Sequence, residues 1–229
     1  MGEPLRAVPS DLEGTPLLHA QAFHFFGNPD EILVQVPELL KLRETHGIKN
    51  RPLIVWEPLP AACIMLNRLS FFEACRLVDI FSPNHLEAHG LFENQALTEY
   101  NASKIESLGQ QFVDSSLNPG SGLTVIIRAG EHGAVIMGHT QRPVWFPPYY
   151  ENHSQKVVDA TGAGNTFLGG YIAGLQLTGD HLKAMCYGAV AASFALEQFG
   201  LPSIKLATVG VFCNDSSVAD RLDEYKKRL

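Results

Sequence analysis

Residues 159–167 read Asp-Ala-Thr-Gly-Ala-Gly-Asn-Thr-Phe. Val157 and Val158 precede this stretch, and Phe167, Leu168, Tyr171, Ile172 and Leu175 follow it at helical spacing. The pattern predicts a strand ending near Asp159, a glycine-rich turn, and a helix opening near Gly164 or Asn165. The first turn of a helix carries amides without internal acceptors, and the helix dipole adds positive potential there. Gly162 and Gly164 would let the backbone approach a ligand without a Cβ in the way. Such a turn can cradle a phosphate, or the charge developing on a transferred phosphoryl group. Many turns of this composition bind nothing, so the residues alone leave both readings open. No Lys follows the glycines, which sets aside the Walker pattern. The final glycine of a dinucleotide fingerprint is also missing at its spacing.

Outward from the turn, short apolar strands alternate with helical stretches. Strands are expected at "AFHFF" (22–26), "PLIVWEP" (52–58), "VDIFS" (78–82), "LTVIIRAG" (123–130), "GAVIMGH" (133–139) and "QKVVDATG" (155–162). Asn28-Pro29 with Glu31 forms a capping box for a first helix, which Pro37 should kink or interrupt. Ser70 and Glu73 suggest a second box, and Asn84 opens another helix. Residues 180–199 are Ala-rich and end at Gly200, a second buried helix, and a polar helix from about Ser217 follows. This alternation predicts an α/β fold with a mainly parallel sheet and helices on both faces. Ligands of such sheets sit at the carboxyl ends of the strands.

Composition narrows the function classes. The chain has 229 residues, 45% hydrophobic and 18% charged, which suits one domain with a sizeable core. The Pro-rich residues 1–20 read as a disordered or linker-like segment, leaving residues 21–229 as the domain. A net charge of −7 argues against a nucleic-acid partner, which normally meets a basic face. The terminal "KKRL" reads as a solvated helix tip. No apolar run is long enough for a bilayer, so no membrane partner is expected. Cys63, Cys75, Cys186 and Cys213 form no Cys-x-x-Cys pair. They read as reduced thiols in a cytoplasmic or nuclear protein.

With the motifs laid out, the chain resembles the pfkB, or ribokinase-like, sugar and nucleoside kinases. "DATGAGNTFLGG" (159–170) is similar to that family's second signature, where Asp-Thr-x-Gly-Ala-Gly-Asp is typical. "VDIFSPNHLE" (78–87) resembles the family's strand followed by Asn-x-x-Glu. "VIIRAGEHGAVI" (125–136) resembles its Thr-x-Gly-x-x-Gly nucleotide turn, with Arg128 where Thr is usual. "FGLPSI" (199–204) and the helix before it resemble the segment closing the adenine pocket. The "SPN" and "FLGG" wording also resembles a fungal branch named for the maintenance of killer virus.

The resemblance implies a ribokinase-like three-layer αβα sandwich that binds ATP and Mg²⁺. Gly162, Ala163 and Gly164 would form the anion hole, and Gly130 and Gly133 would lie beside the nucleotide. Asn84 and Glu87 would position Mg²⁺, with Asp159 and Thr161 at positions that hold a monovalent cation in some members. The acceptor would be a sugar-like or nucleoside hydroxyl. Read from residues alone, Asn84 and Glu87 form a helix-capping box, a role that can coexist with metal support. His85 and His89 bracket Glu87 but lack further ligands, so a solvated helix face is expected of them.

Two departures from the family pattern matter. Asn165 stands where the family places the Asp that accepts the acceptor's proton, and an amide takes up no proton near neutral pH. A slow kinase, or a pseudokinase serving a protein partner or a homodimer, is therefore expected. The family's Gly-Gly sugar signature is not found before residue 20, so the N-terminal strands and β lid are expected to be lacking.

Overall fold

The computed structural model describes residues 7–116, 122–151, 153–208 and 210–229. In chain order the elements are β1 (Ala22–Gly27), α1 (Pro29–Thr45), β2 (Leu53–Pro58), α2 (Arg68–Cys75) and β3 (Ile80–Phe81). Next come α3 (His85–Gly90), α4 (Ala102–Ser115), β4 (Thr124–Arg128), β5 (Ala134–Gly138) and β6 (Val144–Phe146). The chain continues through α5 (Ala163–Thr178), α6 (His181–Ala195), β7 (Ile204–Ala207), β8 (Gly210–Cys213), β9 (Ser216–Ser217) and α7 (Val218–Lys226). Strands β1 to β6 lie in sequence order in one six-stranded sheet, and β7 to β9 form a second. The pairs β1–β2, β2–β3 and β3–β4 are parallel. That arrangement places the loops after β1, β2 and β3 at one edge. Among the described residues no helix is long and apolar enough to cross a membrane.

The chain divides into two compact units, Met1–Ile127 with Ile136–Pro143, and Arg128–Val135 with Val144–Leu229. In the first, β2 is buried along nearly its whole length, as expected for a parallel strand covered on both faces. Trp56 stacks on Phe71 at 5.0 Å and meets Phe81 at 4.7 Å, and Phe81 meets Phe112 at 4.8 Å. The indole N–H of Trp56 donates to Gly27 O at 2.9 Å, so the largest core side chain leaves no unmet donor. In the second unit α5 packs on α6 through glycines. A Cβ on Gly170 would lie 2.7 Å from Tyr187 O, and one on Gly174 would lie 2.7 Å from the Tyr187 ring. Gly169 faces open space.

Several local expectations are corrected. Residues 9–12 and 16–19, in the stretch expected as linker-like, form two 3-10 turns, and Leu18 is buried. Buried Arg43 of α1 fastens them: it donates to Leu18 O, to Ala20 O at 3.0 Å and to Asn50 O at 3.1 Å. Its guanidinium also lies over the Phe23 ring. Arg43→Met keeps the volume but strips these carbonyls of their donor. It is expected to cost about 3 kcal/mol, read as a lower urea midpoint with faster proteolysis of residues 9–20.

Helix α1 runs unbroken through Pro37. The Ser70/Glu73 box does not form. A 3-10 turn at Met65–Asn67 leads straight into α2, so Ser70 is already inside the helix. The Asn67 amide is spent on Ala62 O at 2.9 Å. "QKVVDATG" is not a strand. The amides of Val158 and Asp159 both donate to Leu196 O, at 2.7 and 3.2 Å, a single anchor at the end of α6 rather than a ladder. The β7–β8 hairpin and α4 were not anticipated. The hairpin pairs Ile204 with Cys213 and Ala207 with Gly210, and the apolar residues of β7 remain exposed.

Candidate functional site

In the second unit two glycine turns carry the candidate chemistry. The first follows β4. Ala129 N donates to Gly133 O at 2.7 Å and Gly133 N to Gly130 O at 3.0 Å, closing a compact loop between β4 and β5. Gly133 has φ +87°, a region that favours glycine. A Cβ there would also lie 2.9 Å from Pro147 C and closer still to Phe146 O. Two independent constraints thus demand glycine at this position.

The second turn opens α5. Gly162, at φ +79°, is its N-cap, and no side chain caps the helix. Ala163 N is used by Ala160 O at 3.2 Å, and Thr166 donates both its amide and its hydroxyl to Gly162 O at 2.9 Å. The amides of Gly164 and Asn165 have no acceptor among the described residues. By contrast, Asn28, Asn84, Asn101, Asp180 and Ser217 each place a side-chain oxygen on the first-turn amides of α1, α3, α4, α6 and α7. Helix α2, which continues a 3-10 turn, shares the missing side-chain cap.

Around this turn the side chains are open to solvent. Asp159 Oδ1 accepts from Thr161 N at 3.0 Å, and that hydrogen bond holds the carboxyl below its ordinary value. Asn165 is exposed, in the first turn of α5, and its side chain meets no hydrogen-bonding partner among the described residues. The sequence placed Gly162, Ala163 and Gly164 at the anion cup. Of these, the amides of Gly162 and Gly164, like that of Asn165, have no acceptor among the described residues, while that of Ala163 is used by Ala160 O.

In the first unit Asn84 and Glu87 form a reciprocal cap at the start of α3, in the loop edge that follows β3. Asn84 Oδ1 accepts from Leu86 N at 2.9 Å and Glu87 N at 2.8 Å. The carboxylate of Glu87 accepts from Asn84 N and from Asn84 Nδ2, each at 2.7 Å. The capping role read from the spacing is therefore present. Glu87 is 7% exposed, and its charge adds to burial in pushing the Cys63 thiol up. Glu87→Ala is expected to cost about 1 kcal/mol through the lost cap, read as a lower denaturation midpoint.

His89 corrects an expectation. It is 3% exposed rather than solvated, since its ring packs between α3 and α4, 3.2 Å from Glu93 and 3.4 Å from Lys104 Nζ. His85 meets the Tyr100 ring edge-on. Among the described residues no group of three or more His, Cys, Asp or Glu could hold a metal ion. Asn84 Oδ1 already accepts two hydrogen bonds, its full complement, so a hard cation at this cap would have to meet the Glu87 carboxylate.

With both turns and the capped pair described, the comparison with known proteins is decisive. The sequence profile of the pfkB family carbohydrate kinases matches residues 27–206. The chain belongs to that family. An uncharacterized protein of Schizosaccharomyces pombe is 32% identical over 244 residues, covering 99% of this chain and 64% of that protein. Protein MAK32 of Saccharomyces cerevisiae is 29% identical over 213 residues, covering 89% of this chain and 56% of its own length. The chain thus spans less than two thirds of either relative. Among solved structures, a ribokinase II-type protein of Escherichia coli, in complex with ATP and Mg²⁺, superposes with a TM-score of 0.58 at 17% identity. That likeness covers 96% of this chain and 61% of that one, and shows the ribokinase-like fold.

Proposed function

We propose that this pfkB chain binds ATP with Mg²⁺ and that its phosphotransfer to a sugar-like or nucleoside hydroxyl is impaired at Asn165. The observation carrying this reading is the uncapped start of α5. The amides of Gly162, Gly164 and Asn165 there lack acceptors among the described residues, while five other helices supply a side-chain cap. Those amides and the helix dipole suit the phosphates, with Gly162, Ala163 and Gly164 as the turn that lets them approach. Gly130 and Gly133 are read as the nucleotide turn. Asn84 and Glu87 are read as the support for Mg²⁺, and Asp159 and Thr161 as the place for a monovalent cation. When bound, Mg²⁺ neutralises phosphate charge; the chain's own residues orient the phosphates and present the acceptor side.

Asn165 favours a second reading. Its amide can orient a hydroxyl but takes up no proton near neutral pH, which suits a pseudokinase that keeps the nucleotide for its fold or for a protein partner. The first reading is tested by Gly164→Val, whose side chain would crowd the open amides. MgATP affinity measured by calorimetry is expected to fall by about tenfold or more, the equivalent of ~1.4 kcal/mol. Unchanged affinity would put the phosphates elsewhere.

A further inference from the structure

The C-terminal end of α7, read from sequence as a solvated basic tip, grips the chain that leaves β6. Tyr225, fully buried, donates its hydroxyl to Pro147 O at 2.6 Å. Arg228 donates to Tyr149 O at 2.6 Å and to Pro148 O at 3.0 Å. Its guanidinium lies over the rings of Tyr149 and Tyr225, and these two rings stack at 5.9 Å. Three successive carbonyls are therefore held by two side chains of one short segment. Pro147 and Pro148 have no N–H, so this stretch cannot fasten itself by a ladder.

The gripped segment is also the floor of the Gly130–Gly133 turn. The Phe146–Pro147 peptide lies so close to Gly133 that a single added Cβ would overlap it. Tyr225 binds the carbonyl of Pro147, the very next carbonyl after that of Phe146. Nothing but one peptide unit separates the side chain on α7 from the backbone of the turn. We infer that Tyr225 and Arg228 are positioning residues for the Gly130–Gly133 turn, setting its placement through the Phe146–Pro147 peptide. This rests on the reading of that turn as part of the nucleotide site. Truncating or modifying the last few residues would, on this account, weaken nucleotide binding.

The test compares the full chain with its Tyr225→Phe, Arg228→Ala and Arg228→Lys variants, and with Lys227→Ala as a neighbour outside the grip. Amide exchange is followed along the chain, and MgATP affinity is measured by calorimetry. Tyr225→Phe keeps the buried ring and removes one hydrogen bond. Exchange at Ala129, His132 and Gly133 is expected to quicken by about fivefold, with a matching loss of MgATP affinity. Arg228→Ala should do at least as much, Arg228→Lys should restore part of it, and Lys227→Ala should leave the turn unchanged. Looser exchange at residues 149–151 with an unaltered turn would overturn the inference, as would an equal quickening across the whole chain. If the unaltered chain binds no MgATP, the nucleotide reading falls and this role with it. Intact MgATP binding with an unaltered turn in the variants would sink the positioning role alone.

Discussion

Asn165→Asp is expected to raise ATP-dependent phosphotransfer, or background ATP hydrolysis, by about 10²–10⁴-fold, the usual reach of a positioned general base. The substitution changes an amide to a carboxylate of nearly the same shape. Asn165 is exposed in the first turn of α5, and its side chain has no partner among the described residues that the change would break. An acid in the first turn of a helix is also favoured by the dipole, so the variant should fold at least as well. The sign is clear from chemistry. An amide can align the attacking hydroxyl, while only the carboxylate can take its proton as the bond to phosphorus forms. Phosphoryl transfer relies heavily on orientation and charge stabilisation, so the unaltered chain can retain slow turnover. A coupled ADP assay on both proteins reads the ratio, and equal rates would remove Asn165 from the base position.

Gly133→Ala is expected to be the most damaging single methyl in the second unit. The new Cβ would fall on the Phe146–Pro147 peptide, which is backbone and cannot rotate aside. The residue would also be held at φ +87°, where a side chain is strained. Overpacking and the unfavourable dihedral together should cost about 2–5 kcal/mol. That is a large share of the 5–15 kcal/mol typical of a folded domain. Gly162→Ala is the contrast. Its φ is +79°, but nothing lies within 4 Å of the added Cβ, so about 1 kcal/mol of strain is expected. Urea midpoints of the two variants separate the cases. Equal midpoints would mean that the close approach at Gly133 relaxes without cost.

Much of this was legible in the chain because the informative signals are local. The Asn28–Glu31 and Asn84–Glu87 boxes form as read, with reciprocal hydrogen bonds of 2.7–2.9 Å. The β4–β5 turn follows from glycine spacing, while α5 begins at Ala163, slightly before the Gly164 or Asn165 expected, with Gly162 as its N-cap. What escaped depends on partners distant in sequence. The burial of His89 requires α4, whose Lys104 supplies the neighbour. The order in residues 9–19 requires Arg43 to reach back to Leu18. Val157 and Val158 look like strand residues, yet Leu196 offers them one carbonyl and no ladder. Arg228 looked like a charge in solvent because its acceptors are backbone atoms 79 and 80 positions away. Side-chain-to-carbonyl contacts leave no pattern in a sequence, which is why such roles stay hidden.

The most direct test of the central claim is a thermal-shift titration of the full chain with MgATP, with ATP in the presence of a chelator, and with no nucleotide. A ligand binding only the folded state at a hundredfold excess over its Kd adds about 2.7 kcal/mol of stability. A saturable rise in melting temperature that requires Mg²⁺ is the expected result, and Gly164→Val should abolish most of it. A folded chain whose melting temperature ignores MgATP at every concentration would contradict the account, leaving the two glycine turns as inherited architecture without a nucleotide.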